Sequence, residues 1–492
     1  MRLLALLAAA AALLAPAALA GSSKNPVRYA WTQLAPVSVS PSGLVAKAIV
    51  EQAACPSISL KGASSSSLAM SPLSPPAGIV GFGKILVCTA ALPVGTTAAS
   101  VGGRKLPVPA SGTPSSIGVI GDTGCLILPP AQGKAQLQDC NKASKWPFAA
   151  IARQVAAAAP GLIVHVGDYI YRQANCATAA VTAKDLKKCK GSPNVNPAGS
   201  PNFDNWKLWE TDFFKPAKPL LSVAPFVFVR GNHDLCSRAG NGYFLFLDPG
   251  VNPPGTCTGT FLPATKQSPH PLDPVGDFTK PYAVTAGSLQ LVVVDVAAAN
   301  DFAAVSVPMY TQRFAAAAAL SNGQAWLLLH APVLGYQNLK GTEEEPDEAA
   351  PPSYVSLWKN VTEQVVTFGK LASEYSVIVS GHVHVFQAVD LPGQPPQLIF
   401  GNGGTKIAGG LTKDPGPPTY GPLTDPTTGA PLVAGTGTLP APSYGGTVAA
   451  GGYGIVRPSA GGWTATDYSA QGAVLATCPF TATTLTCSFS GS

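Results

Sequence analysis

Charge is scarce in this sequence: Asp, Glu, Lys and Arg make up 11% of 492 residues. The formal net charge of +6 is spread along the chain, with no Lys/Arg block. Nothing here would neutralise a run of nucleic-acid phosphates, so no nucleic-acid partner is expected. Long apolar runs are missing too, once the first 20 residues are passed. The alanine-rich pieces at 156–159 and 315–319 fall far short of the about 20 apolar residues that cross a bilayer. No internal repeat stands out. No C-x-x-C spacing occurs among the cysteines, which argues against a cysteine-type zinc site. Histidine is rare, six in all, so the places where it gathers carry weight.

What is present begins with MRLLALLAAAAALLAPAALA. Arg2, a Leu/Ala run, Pro16 and Ala18-Leu19-Ala20 make a secretory signal peptide, cut after Ala20. Ten cysteines behind such a leader are read as disulfides of a secreted or periplasmic protein. Short loops favour the neighbour pairs Cys55–Cys88, Cys125–Cys140, Cys176–Cys189, Cys236–Cys257 and Cys478–Cys487, although sequence alone does not fix connectivity.

Residues 21–114 hold short apolar stretches split by Gly, Ser and Pro, expected as a small N-terminal β-rich domain, with "PASGTPSS" (109–116) as a linker. Strand-length apolar runs follow: "IGVIGD", "LIVHVGD", "PFVFVRGNHD", "LQLVVVD", "AWLLLHAP" and "SVIVSGHVH". Between them lie helix-like stretches such as "WPFAAIARQVAAAAP", "PMYTQRFAAAAALS" and "VSLWKNVTEQVVTFGKLASEY". Buried strands alternating with helices predict an α/β catalytic domain over 115–410, with covered sheet faces. Residues 411–492 read as a loop-rich extension whose late strands, in "GGYGIVRPSAGGWTATDYSAQGAVLATCPF", join the catalytic sheet.

The polar residues of this domain fall at the carboxyl ends of the strand runs, where sites of α/β sheets form. They are Asp122, Asp168, Asn232, His233, Asp234, His330, His382 and His384. Strand-end loops offering Asp, Asp, Asn-His, His and His-x-His hold the ligands for two metal ions bridged by a carboxylate, a clamp for a phosphate ester. His382 and His384 stand two apart, so an extended or sharply turning segment aims them at neighbouring ions.

This order resembles the calcineurin-like metallophosphoesterase superfamily. The matching pieces are "GDTG" (121–124), "GDYIY" (167–171), "GNHD" (231–234), "LLLH" (327–330), "GHVH" (381–384) and the following "FGNGGT" (400–405). The resemblance implies a metallophosphoesterase β-sandwich flanked by helices. One departure matters. Most members carry a histidine two residues after the first aspartate, and here that place is Gly124. The purple acid phosphatase branch shows the same gap and fills it with a tyrosine three residues after the second aspartate, the offset of Tyr171. Leu327, where the family often has valine, is a harmless strand change.

Carried over, the resemblance implies Fe(III) bound by Asp122, Asp168, Tyr171 and His384. It implies Fe(II), Zn(II) or Mn(II) bound by Asp168, Asn232, His330 and His382, with Asp168 as bridge. His233 is then free to hold substrate or protonate the leaving alkoxide, and Asp234 to orient that imidazole. The expected function is a secreted phosphomonoesterase of acid phosphatase type, acting on small phosphate esters. The alternatives are a phosphodiesterase or nucleotide hydrolase on the same centre, and a non-catalytic envelope protein. Bland roles are expected elsewhere. His165 is read as a core histidine, Tyr169 as structural, His270 as a surface loop residue, and Arg172 and Arg230 as outward and solvated. The Cys236–Cys257 pair braces the loop after "GNHD". Asn360 begins a sequon in a helix-like stretch.

Overall fold

The computed structural model describes residues 26–73, 81–131, 133–196, 203–250, 257, 277–299, 307–333, 335–337, 353–355, 371, 374–390, 393–408, 419–420, 423–424, 431–433, 437–438 and 443–490. The leader, His270, Asn360 and most of the stretch 355–375 read as a helix lie outside the described residues; the ends of that stretch, Val355 and Tyr375, belong to strands.

Period-two burial builds the centre. In the strand Ile117–Ile120, Ile117 and Val119 point to one side and Ile120 to the other. In Leu162–His165, Leu162 and Val164 share the inner side while Ile163 faces out. The inner residues meet those of a second sheet, among them Leu291, Val293, Trp326, Leu328, Val377, Val379, Leu398 and Phe400. Two sheets thus pack face to face, each buried aliphatic side chain contributing roughly 1.5–3 kcal/mol relative to exposure.

Helices cover the outer faces. Phe148–Ala157 buries Phe148, Ile151, Ala152 and Val155, a spacing of three and four that makes one apolar stripe. It lies against the outer side of the first sheet. Val307–Ala318 sets Tyr310, Phe314 and Ala317 against Val292, Leu327 and Ile378 of the second. The result is an α/β sandwich, helix–sheet–sheet–helix, as the resemblance implies.

The first sheet has 11 strands and draws on both ends of the chain. Ile117–Ile120, Leu162–His165 and Phe226–Phe228 run parallel at its middle. Beside Phe226–Phe228 lies Val27–Leu34, followed by Leu44–Val50, Leu86–Ala91 and Ser71–Leu73. Beside Ile117–Ile120 lies Gly452–Ser459, antiparallel, then Gly462–Ser469 and Val474–Phe480. The N-terminal β-rich region is therefore continuous with the catalytic sheet. Among the described residues of that region, only Ser57–Lys61, Ser67–Ala69, Ala98–Val101 and Arg104–Leu106 make a four-stranded sheet of their own. The second sheet has seven strands, with Leu289–Val293, Ala325–Leu328, Tyr375–Ser380 and Gln397–Phe400 parallel. All five disulfides join the neighbour pairs that short loops favour.

Candidate metal centre

Parallel strands end on one edge, so their loops meet there. From the first sheet come Asp122, the loop with Asp168 and Tyr171, and the short 3-10 turn Asn232–Asp234. From the second come His330 and the pair His382 and His384. Backbone hydrogen bonds tie neighbouring loops within each edge, and one from Gly403 crosses between the two. Asp122 N donates to Gly167 O at 2.9 Å, Gly403 N to Gly121 O at 3.0 Å, and Gly381 N to His330 O at 2.9 Å.

The backbone is bent to aim these side chains. Among the described residues, four non-glycine residues have positive φ: Asp122 (55°), Asp168 (60°), His382 (70°) and Ala159. Three of the four belong to the cluster. Left-handed backbone is strained for such residues and persists where the surroundings hold it.

One set of donors gathers about the Tyr171 hydroxyl. It lies 2.8 Å from Asp122 Oδ1, 2.7 Å from Asp168 Oδ2 and 2.9 Å from His384 Nε2. A second set gathers about Asn232 Oδ1, 3.0 Å from both His330 Nε2 and His382 Nδ1. His330 Nε2 is also 3.1 Å from Asp168 Oδ2. The same carboxylate oxygen, Asp168 Oδ2, therefore belongs to both sets. Two further contacts orient rings: His330 Nδ1 lies 2.7 Å from Val166 O, and His384 Nδ1 lies 3.0 Å from Lys406 O. Each turns its ring so that Nε2 faces the cluster, the orientation found in metal-ligating histidines.

Does this donor set fit metal ions? The phenol owns one hydrogen, yet two carboxylate oxygens and an imidazole nitrogen crowd it. That is more acceptors than protons to serve them, with the phenol and both carboxylates buried and His384 partly exposed. Adjacent ligands in an octahedral shell of about 2.0–2.1 Å radius stand about 2.9 Å apart, the spacing seen in both sets. Acidities tell the same story. Burial, with the charge of Asp168, pushes the Asp122 carboxyl up to about 7. Burial and the two carboxylates hold the Tyr171 phenol well above its ordinary value. Against its burial, Asp168 stays well below the usual carboxylate range, chiefly because His330 favours its charge. Burial lowers His384 to about 4, so its ring is neutral and can ligate. Cations held by the two donor sets would favour the charged forms of these carboxylates and of the phenol.

Gly124 completes the picture. A Cβ there would sit 2.7 Å from Tyr171 N and 2.8 Å from Tyr169 O. The loop bearing Tyr171 fills the space where a histidine side chain would begin.

The residues around the cluster partly depart from expectation. Asp234 receives hydrogen bonds from backbone amides. Its Oδ2 accepts from Asp168 N at 3.0 Å and from Gly231 N at 2.9 Å, so it pins the two loops together. The side chain at His233 Nδ1 is Gln173, at 2.7 Å. Sequence reasoning missed Gln173, for an amide five residues past an aspartate carries no local signal. Arg172 and Arg230 are not outward. Arg172 pairs with Asp212 at 2.6 Å and Arg230 with Asp295 at 3.3 Å, each arginine and aspartate nearly inaccessible. Arg230 also donates to Asp234 O at 2.8 Å and lies over the Phe244 ring. Their partners stand 40 and 65 residues away, beyond reach of local pattern. His165 is a core residue, stacked on Tyr169 and 3.0 Å from Thr123 Oγ1. Tyr169 donates to Val229 O at 2.9 Å.

No curated protein matches the chain. Among solved structures it is similar to a purple acid phosphatase from yellow lupin (Lupinus luteus) seeds, at 11% identity and a TM-score of 0.45, over 90% of this chain and 71% of that one. It is similar to PhoD at 12% identity and a TM-score of 0.49, over 96% and 94%. It is similar to a dimetal phosphatase from Danio rerio at 9% identity and a TM-score of 0.35, over 75% and 99%. Residues 115–386, more than half of the chain, match the profile of the calcineurin-like phosphoesterases. With that span covering every residue of the two donor sets, the chain belongs to the calcineurin-like phosphoesterase family, metal-dependent hydrolases of phosphate esters.

Proposed function

We propose that this phosphoesterase is an exported phosphomonoesterase of purple acid phosphatase type. Fe(III) would be held by Asp122, Asp168, Tyr171 and His384. Fe(II), Zn(II) or Mn(II) would be held by Asp168, Asn232, His330 and His382. The observation that carries this reading is the Tyr171 hydroxyl, set among Asp122, Asp168 and His384 while the Gly124 position is closed to a side chain. A tyrosinate is a ligand for a hard ferric ion, and such an ion offsets the two carboxylates that otherwise keep the phenol protonated. Bound there, the ions would polarise a phosphate ester and make a water acidic enough to attack phosphorus.

The chain's own part is positioning. Asp168 ties the two sets through one oxygen and receives His233 N at its other, at 2.7 Å. His233 lies over Tyr171 with ring centroids 3.8 Å apart, beside the cluster where a substrate oxygen would sit. Asn232, His382 and His384 are the partly exposed members, so substrate enters from their side. Export is supported by the leader and by five disulfides, which persist in oxidising compartments. Among the described residues no helix is long and apolar enough to cross a membrane.

The test pairs a spectrum with a rate comparison. Purified, oxidised protein should show a broad violet-to-purple band that Tyr171→Phe abolishes. It should hydrolyse p-nitrophenyl phosphate faster than bis(p-nitrophenyl) phosphate. A colourless two-metal enzyme would reduce Tyr171 to a packing residue. A preference for the diester would make the enzyme a phosphodiesterase on the same centre.

A further inference from the structure

What holds the His233 ring is an amide, and an arginine holds the amide. Gln173 Nε2 lies 2.7 Å from His233 Nδ1. Arg238 Nη2 donates to Gln173 Oε1 at 3.1 Å, and its Nη1 donates to the Asn232 carbonyl at 3.3 Å. All three side chains are buried. A guanidinium carries donors only, so the amide oxygen must be the atom that faces Arg238. The amide nitrogen, also a donor only, then faces the ring. A ring nitrogen that receives a hydrogen bond bears no hydrogen, which leaves the ring hydrogen on Nε2. The plane of the ring is fixed separately, by its contact with Tyr171 at an interplanar angle of 33°.

We propose that Gln173, locked by Arg238, is a positioning residue that sets the tautomer of His233, so that Nε2–H is the hydrogen-bond donor offered to a phosphate ester at the cluster. The acceptor's identity rests on the function proposed above; the tautomer rests on the hydrogen bonds alone. A second hydrogen, on Nδ1, would set donor against donor across 2.7 Å. On this proposal the ring lends a hydrogen bond, so of the two roles expected from sequence, holding substrate and protonating the leaving alkoxide, it serves the first.

Two measurements test this. Nitrogen-15 NMR of protein loaded with zinc alone, which is diamagnetic, reads hydrogen placement on each imidazole, and His233→Asn identifies the signals. Nδ1 should be bare and Nε2 protonated, with the preference lost in Gln173→Met. A hydrogen on Nδ1 in the parent protein overturns the proposal, whatever the activity. The second measurement is a double-mutant cycle with aryl phosphates. Gln173→Met should lower kcat about tenfold with KM changed less than about twofold. In a His233→Asn background the same change should cost less than about twofold. Additive losses would make Gln173 merely structural and overturn the proposal. A parent enzyme without phosphatase activity would sink the proposed function instead, and the NMR result would still decide the tautomer.

Discussion

Gly124 has no room for a side chain, and that single absence shapes the site. The atoms in the way are backbone of residues 169–171, which cannot rotate aside. Gly124→Ala should therefore lower stability by about 2–3 kcal/mol in urea unfolding, and shift the visible band by displacing Tyr171. A variant of full stability and unchanged colour would show that the loop yields easily. Asp168 is the residue on which both donor sets depend. Asp168→Asn should reduce phosphatase activity by roughly 10²–10³-fold or more and lower the metal content of the purified protein. Equal activity in the two proteins would remove the cluster from the chemistry. The cluster residues were legible in sequence because each follows an apolar run at a strand end, where type and position can be read together. Gln173, Arg238 and the buried partners Asp212 and Asp295 were not. Their contacts are made across 40 residues or more, and a polar residue in a loop looks the same whether it faces water or a neighbour.

The strand Leu44–Val50 carries a lysine where its neighbours are apolar. Lys47 Nζ donates to Phe246 O at 3.0 Å and Asp248 O at 2.7 Å, and so ties the N-terminal hairpin to the loop after the helix Gly240–Phe246. Burial pushes its amine down to about 8, although the Asp248 charge opposes this. An unfolded lysine titrates near 10.4. Between about pH 8 and 10.4 the unfolded chain holds the extra proton, so this group's share of stability rises with pH through that window. The whole rise is about 3 kcal/mol. Lys47→Met should abolish it, which denaturant unfolding at pH 7.5 and 10 will read; parallel pH dependence in both proteins would contradict the assignment. At this scale the sequence was informative for strands, and less so for their membership. The runs in "IGVIGD", "LIVHVGD" and "SVIVSGHVH" are strands as expected, and the late run "GGYGIVRP" does join the catalytic sheet. Period-two burial does not say which strand lies beside which. Hence Gln33 meeting Phe226, which fuses the N-terminal region to that sheet, had no signature.

Taken whole, the molecule is a sandwich closed at one edge around a concentration of buried acids. Removing the ions should expose that concentration as instability. Chelated protein should melt at lower temperature than the parent, by the equivalent of about 4 kcal/mol where metal exceeds its dissociation constant a thousandfold, and recover on reloading. An unchanged melting temperature would mean that the donor sets are at ease without cations. The sheet order has a further consequence, in time. The strand leading to Asp122 is flanked by Leu162–His165 on one side and Gly452–Ser459 on the other, while Val27–Leu34 waits for Phe226–Phe228. Pairings this distant along the chain form slowly and late. A ribosome that has delivered His382 and His384 has still to make the strand that braces Asp122. The choice of metal would then be made where the finished chain folds, which for a chain exported unfolded is outside the compartment in which it was translated.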